Sequence, residues 1–218
     1  MPVNTTSYQQ IIKELTTRKV TLVAVSKTKT TGEILELYQL GQRDFGENYV
    51  QELTEKYHQL PKDIRWHYIG HLQSNKVKFI ASFVTLIQSV DSEKLLAEID
   101  KQAKKNNRQI NCLLQVHIAA EETKFGFSET ELAALSEARL QAYHNVRVVG
   151  MMGMASFTEN VVTVTQEFRK LKSLFDQYAG RHFSILSMGM SADYKIALEV
   201  GSNMVRVGSL LFGERHRR

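Results

Sequence analysis

The apolar positions of this chain switch repeatedly between helical and strand spacing. Tyr8, Ile11, Ile12 and Leu15 share one face of a helix over residues 7–18, where Ser7 and Gln10 fit a capping box. Residues 21–25 form a short, β-branched apolar run, which predicts a buried strand. Residues 31–40 are helical and Gly41 stops them. The spacing then predicts a strand at 43–46, a helix through Val50, Leu53 and Tyr57, a strand at 64–69 and a short helix at 75–81. A strand at 84–89 follows, then a helix over 92–105 that turns Leu95, Leu96, Ile99 and Ala103 inward.

The second half continues in the same way. Strands are expected at 110–118, 146–149, 184–186 and 204–207. Helices are expected over 129–143, 160–178 and 191–200, the last ended by Gly201. Val161-Val162-Thr163-Val164-Thr165, at the start of the 160–178 helix, is strand-like by propensity.

Eight strands, each followed by a helical piece, call for a parallel sheet. In about 200–250 residues that is the arithmetic of an α/β fold, a (β/α)8 TIM barrel, here with one extra N-terminal helix. A doubly wound open sheet is the runner-up and would usually hold a nucleotide at a glycine-rich first turn. The first strand instead runs into Ser26-Lys27-Thr28-Lys29, without glycine, which argues against a dinucleotide fold. Only Pro2 and Pro61 punctuate the chain and no composition break divides it, so residues 1–218 read as one domain.

Composition narrows the class. With 218 residues, 43% hydrophobic and 23% charged, the chain can bury a full core and is not mainly disordered. Cys112 is the one cysteine, so no internal disulfide forms and a reducing compartment is expected. The N-terminus lacks the pattern of a secretory signal, and no apolar run reaches the roughly 18 residues of a membrane span. A cytoplasmic protein with no membrane partner is the expectation. The net charge of +5 comes from scattered basic residues; the densest groups are Lys104-Lys105 with Arg108, and the tail Arg215-His216-Arg217-Arg218. Such patches are weak evidence for nucleic acid, which is not expected as a partner, whereas mild positive charge suits a small phosphorylated ligand.

In a barrel of this kind the site lies at the C-terminal ends of the strands. Lys27 directly follows the first strand. It reads equally as a desolvated amine, nucleophilic enough for a Schiff base, or as a side chain snorkelling to water. Asn48 follows the second strand, and Gly70 and His71 the third. Met190 and Ser191 follow the seventh, and Gly208 and Ser209 the eighth, after Arg206. Hydroxyls and Gly-turn amides at adjacent strand ends suit a phosphate cradle, although each serine alone also serves as a cap. Metal binding is not expected: there is no His-Glu-x-x-His, and His67 and His71 straddle a strand end. No Gly-x-Ser-x-Gly elbow and no paired glycosidase carboxylates are discernible.

Five motifs in order resemble the pyridoxal phosphate homeostasis protein family. They are Val23-Ala24-Val25-Ser26-Lys27-Thr28-Lys29, Phe45-Gly46-Glu47-Asn48-Tyr49-Val50-Gln51-Glu52, Trp66-His67-Tyr68-Ile69-Gly70-His71-Leu72-Gln73-Ser74-Asn75-Lys76, Ser187-Met188-Gly189-Met190-Ser191 and Met204-Val205-Arg206-Val207-Gly208. The resemblance implies the barrel of alanine racemase, a fold-type III pyridoxal phosphate barrel, without that enzyme's second, β-rich domain. It implies pyridoxal 5′-phosphate on Lys27 as a Schiff base, with Asn48 lining the ring pocket. Arg206 would face the pyridine nitrogen, and Ser191, Gly208 and Ser209 would hold the phosphate beside Met190. Lys124 matches a family lysine that would be a second amine near the site. Gly150-Met151-Met152-Gly153-Met154-Ala155 departs from the family's more usual Gly-Leu-Met. The function implied is cofactor carriage, supply to apo-enzymes and limitation of free aldehyde, by a monomer without efficient catalysis. A small amino acid racemase is the alternative.

Overall fold

The computed structural model describes residues 3–121, 125–178 and 183–213. Eight strands close into a barrel in chain order, and every neighbouring pair is parallel, the last strand against the first included. The strands are β1 Thr21–Val25, β2 Asp44–Glu47, β3 Arg65–Tyr68, β4 Leu86–Val90, β5 Ile110–Gln115, β6 Val146–Met152, β7 Ile185–Met190 and β8 Met204–Val207. In front stands α1 Thr5–Thr17, and between the strands run α2 Thr31–Gln39, α3 Val50–Gln59, a 3-10 helix Ser74–Phe79, α4 Glu93–Lys105, α5 Glu129–Ala134, α6 Glu137–Gln141, α7 Val161–Tyr178 and α8 Tyr194–Glu199. A last turn, α9 Ser209–Phe212, follows β8. Among the described residues, no helix is long and apolar enough to cross a membrane.

Strand side chains alternate between two environments. Leu22 and Ala24 of β1 join the large apolar shell between strands and helices, while Val23 belongs to a smaller cluster with Leu86, Leu113, Val149, Met152 and Met204. That smaller cluster fills the barrel. The ladder register extends the same inward face around the sheet: Met152 pairs Ser187, Ser187 pairs Met204, Arg206 pairs Val23, Gly46 pairs His67 and His67 pairs Leu86. The barrel interior is therefore apolar in part and polar in part.

Several local expectations are corrected. Helix α1 starts three residues earlier than its apolar face requires, because Asn4 caps it by accepting the Ser7 amide, so the Ser7–Gln10 capping box is not the start signal. The single helix expected over 129–143 is two, since Leu135 leaves helical geometry and the Ser136 hydroxyl caps a fresh start at the Arg139 amide. The strand-like opening of α7 is helical: the Asn160 carboxamide accepts the amides of Val162 and Thr163, and Val164 and Phe168 are buried on one face. Tertiary burial overrides β propensity there. The helix expected from Ser191 begins only at Tyr194.

Candidate functional site

The ends of β7, β8, β1 and β2 are neighbours around the barrel, and they carry the residues singled out from the sequence. Lys27, one residue beyond Ser26 at the end of β1, is half-buried. The turn that carries it is tied down on both sides. The Ser26 hydroxyl donates to Glu47 Oε1 at 2.6 Å, and Lys56 Nζ donates to the Ser26 carbonyl at 2.7 Å. The Thr28 amide donates to Glu52 Oε1 at 2.6 Å. Lys56 closes the cluster by bridging Glu47 Oε1 at 2.7 Å and Glu52 Oε1 at 2.6 Å. Thr28 takes a left-handed backbone, φ 65°, which a β-branched residue adopts only when its surroundings impose it. Burial raises the Glu47 carboxyl above its ordinary range even though Lys56 pulls the other way.

Asn48 follows β2. Its Oδ1 is buried and accepts no hydrogen bond among the described residues. The backbone beneath it is fixed by close approach: a Cβ on Gly70 would sit 2.3 Å from the Asn48 carbonyl. The Tyr68 hydroxyl contacts the carbonyls of Asn48 at 2.9 Å and His71 at 3.2 Å. Burial pushes that phenol up to about 12.

Arg206, on β8, is 3% exposed. One guanidinium nitrogen donates to both the carbonyl and the hydroxyl of Ser187, at 2.9 and 2.6 Å, and the other donates to the Gly153 carbonyl at 3.0 Å. Burial lowers its pKa to about 10, and the Asp193 carboxylate opposes the fall, so the group stays charged at neutral pH. Those contacts use three of the five N–H groups a guanidinium carries.

Ser191 does not open a helix. Its hydroxyl accepts the Gly208 amide at 3.1 Å and so links the loop after β7 to the loop after β8. The Met190 amide is held by Asp193 Oδ1 at 2.6 Å. Gly208 also packs on the end of β1: a Cβ there would lie 3.4 Å from the Val25 carbonyl. Ser209 starts α9 and is exposed, and Met190 is half-buried at the end of β7. The structure thus gathers Lys27, Met190, Ser191, Arg206, Gly208 and Ser209 at three adjacent strand ends, with Asn48 at the fourth. Lys124 and the tail Arg215-His216-Arg217-Arg218 lie outside the described residues.

The two histidines spaced by four part ways. His67 is buried inside the barrel, against Asp44 and Gln88. His71 sits outside it, with Nδ1 2.9 Å from Asp91 Oδ2 and its ring stacked on Phe125. Two sets of residues escaped sequence reasoning. The Glu47–Glu52–Lys56 cluster left two traces, the place of Glu47 and Glu52 in a strand-end motif and the i,i+4 spacing of Glu52 and Lys56. Gly153 and Ser187, which hold Arg206, left none beyond their place in strand-end motifs.

The family model described as alanine racemase, N-terminal domain, matches residues 6–216. The chain is 43% identical over 199 residues to the pyridoxal phosphate homeostasis protein of Aquifex aeolicus, covering 89% of this chain and 86% of that one. It is 39% identical over 210 residues to the human pyridoxal phosphate homeostasis protein, covering 89% and 76%. Among solved structures, PipY of Synechococcus elongatus with PLP bound superposes with a TM-score of 0.82 at 33% identity, over 89% of this chain and 93% of that one. Alanine racemase of Clostridium difficile superposes with a TM-score of 0.71 at 17% identity, over all of this chain and 60% of that one, a likeness of fold.

Proposed function

The chain belongs to the pyridoxal phosphate homeostasis protein family, and from that premise we propose that it binds pyridoxal 5′-phosphate and holds it reversibly, as a carrier and not as an efficient catalyst. The observation that carries this reading is the convergence of one lysine, one buried guanidinium and a Ser191–Gly208 bridge at the ends of β1, β8 and β7. The residues fit the cofactor. The buried Oδ1 of Asn48 has no donor among the described residues, and a ring hydroxyl would supply one.

Bound there, the cofactor supplies an aldehyde that condenses reversibly with an amine and releases water. Lys27 offers the amine from a turn that Lys56 and Glu52 hold rigid. Ser191 and Ser209 would offer hydroxyls, and Ser209 its amide, for the phosphate, with Met190 beside them; the Gly208 amide would join them by turning from the Ser191 hydroxyl that it meets here. Arg206 would offer an N–H to the pyridine nitrogen and, being charged, would oppose protonation of that nitrogen. Held by Arg206, an unprotonated ring nitrogen would be a weaker electron sink than one paired with a carboxylate, and carbanion chemistry on amino acids would be slow. The role proposed is storage, supply to apo-enzymes and limitation of free aldehyde, in the cytoplasm and as a monomer.

Visible absorbance of the full chain with added pyridoxal phosphate, followed by borohydride reduction and peptide mass mapping, tests the reading. A band that bleaches on reduction, with the added mass on Lys27 and both lost in Lys27→Ala, is expected. Rapid exchange of an amino acid's α-proton with solvent would instead favour the racemase.

A further inference from the structure

One continuous line of polar groups runs through the barrel interior. It starts at the strand entrances, where Arg65 grips both oxygens of Asp44 at 2.8 and 2.5 Å. Asp44 Oδ1 lies 3.0 Å from His67 Nε2. His67 Nδ1 lies 2.9 Å from Gln88 Nε2, and Gln88 Oε1 lies 2.7 Å from the Ser187 hydroxyl. Ser187 Oγ lies 2.6 Å from Arg206, whose other nitrogen reaches Gly153 just past the end of β6. The line therefore crosses the barrel from the entrance of β2 to the strand ends where the candidate site lies. His67, Gln88, Ser187 and Arg206 are all buried.

The line also has one direction. Arg206 can only donate, so Ser187 Oγ accepts from it and sends its own proton on to Gln88 Oε1. That fixes the Gln88 amide: its nitrogen faces His67 and donates to Nδ1. Nδ1 is then the bare nitrogen of the ring, and Nε2 carries the proton given to Asp44. Reversing Gln88 would aim its N–H at a serine oxygen already receiving from Arg206 and leave the serine proton without an acceptor. Each polar atom of the line is matched in one sense only. A barrel interior packed with Leu, Val and Met needs no such matching, and a half-satisfied line would be worse than an apolar one.

We propose that His67, Gln88 and Ser187 are positioning residues that hold Arg206 from below, so that its reach toward a bound cofactor is set from the opposite end of the barrel. The ligand in this proposal rests on the cofactor reading above; the restraint on Arg206 does not.

Two measurements on the full chain separate them. The first uses the protein without added cofactor: the Nη resonances of Arg206 in nitrogen-15 NMR, which stay separate only while the guanidinium is held. They are expected to be separate in the unaltered protein and to merge in Gln88→Met, which cuts the line one link away from Arg206. His67→Gln, able to accept and donate in the same sense, retains them, and Leu113→Val, an apolar change in the same interior, leaves them unmoved. Should Gln88→Met fail to fold, His67→Leu takes its place. The second is titration with pyridoxal 5′-phosphate, where Gln88→Met weakens binding about fivefold, the worth of one hydrogen bond, and shifts the absorption maximum. Separate Nη resonances in folded Gln88→Met or His67→Leu would overturn the proposal. If the unaltered chain takes up no cofactor, the carrier reading fails, and the NMR result still decides whether the line holds Arg206.

Discussion

Lys56 Nζ lies 2.7 Å from Glu47 Oε1 and 2.7 Å from the carbonyl of Ser26, the residue before Lys27. A buried ion pair and the backbone of the candidate amine's turn thus share one ammonium. Lys56→Met leaves the Glu47 charge buried without its partner, and removing one side of a buried pair costs about 3–5 kcal/mol. A thermal or urea unfolding curve measures this. Glu47→Gln added to Lys56→Met restores most of the loss; a double variant no more stable than the single one would show that the cluster works otherwise.

Ser191→Ala removes the hydroxyl that bridges to the Gly208 amide. Binding of pyridoxal 5′-phosphate is expected to weaken about tenfold, the scale of one hydrogen bond to a charged group, while binding of unphosphorylated pyridoxal stays the same. Parallel absorbance titrations compare the two. Equal losses for both ligands would remove Ser191 from the phosphate subsite.

Much of this was legible in the chain. The alternation of periods yields the barrel because each strand is flanked by turn residues and each helix shows an apolar stripe, as in α4 with Leu95, Leu96 and Ile99 buried. Lys27 and Gly208 could be placed because the site of such a barrel lies at the strand ends. Gln88 and Ser187 could not be read as partners: 99 residues separate them, and only barrel closure brings them to 2.7 Å. In the sequence Ser191 suits a helix cap, as a serine before an apolar run does; its hydroxyl instead serves an amide on another strand's loop. Nothing local encodes that choice.

Asp44 gives the stability of the fold an acid limb. Burial raises its pKa, but hydrogen bonds from Arg65 and His67 outweigh that and hold it down at about 2. The folded value lies below the unfolded one near 4, so the carboxylate stabilises the fold at neutral pH, and this contribution disappears as pH falls from about 4 toward 2. Its size is about 2 kcal/mol. Unfolding free energies measured against pH are expected to show a shallower acid slope for Asp44→Asn, with lower stability at pH 7. Parallel slopes would contradict the assignment.

Cys112 is fully buried, and burial drives its thiol far above the ordinary range. Labelling by a disulfide reagent is therefore expected to follow global opening. If the cofactor binds only the folded chain, pyridoxal 5′-phosphate at 100 times its dissociation constant slows labelling about a hundredfold. Labelling at an unchanged rate in saturating cofactor would separate thiol exposure from the site.

Ladder contacts between β1 and β8 join Thr21 to Met204 and Val23 to Arg206. A ribosome making this chain releases the lysine turn long before the guanidinium and the Gly208 loop exist. Most of the chain is synthesised while the lysine-bearing strand still lacks one neighbour, and the two ends of the loop to be closed are almost the length of the protein apart. The gathering of these strand ends is thus completed only when β8 pairs with β1, late in synthesis.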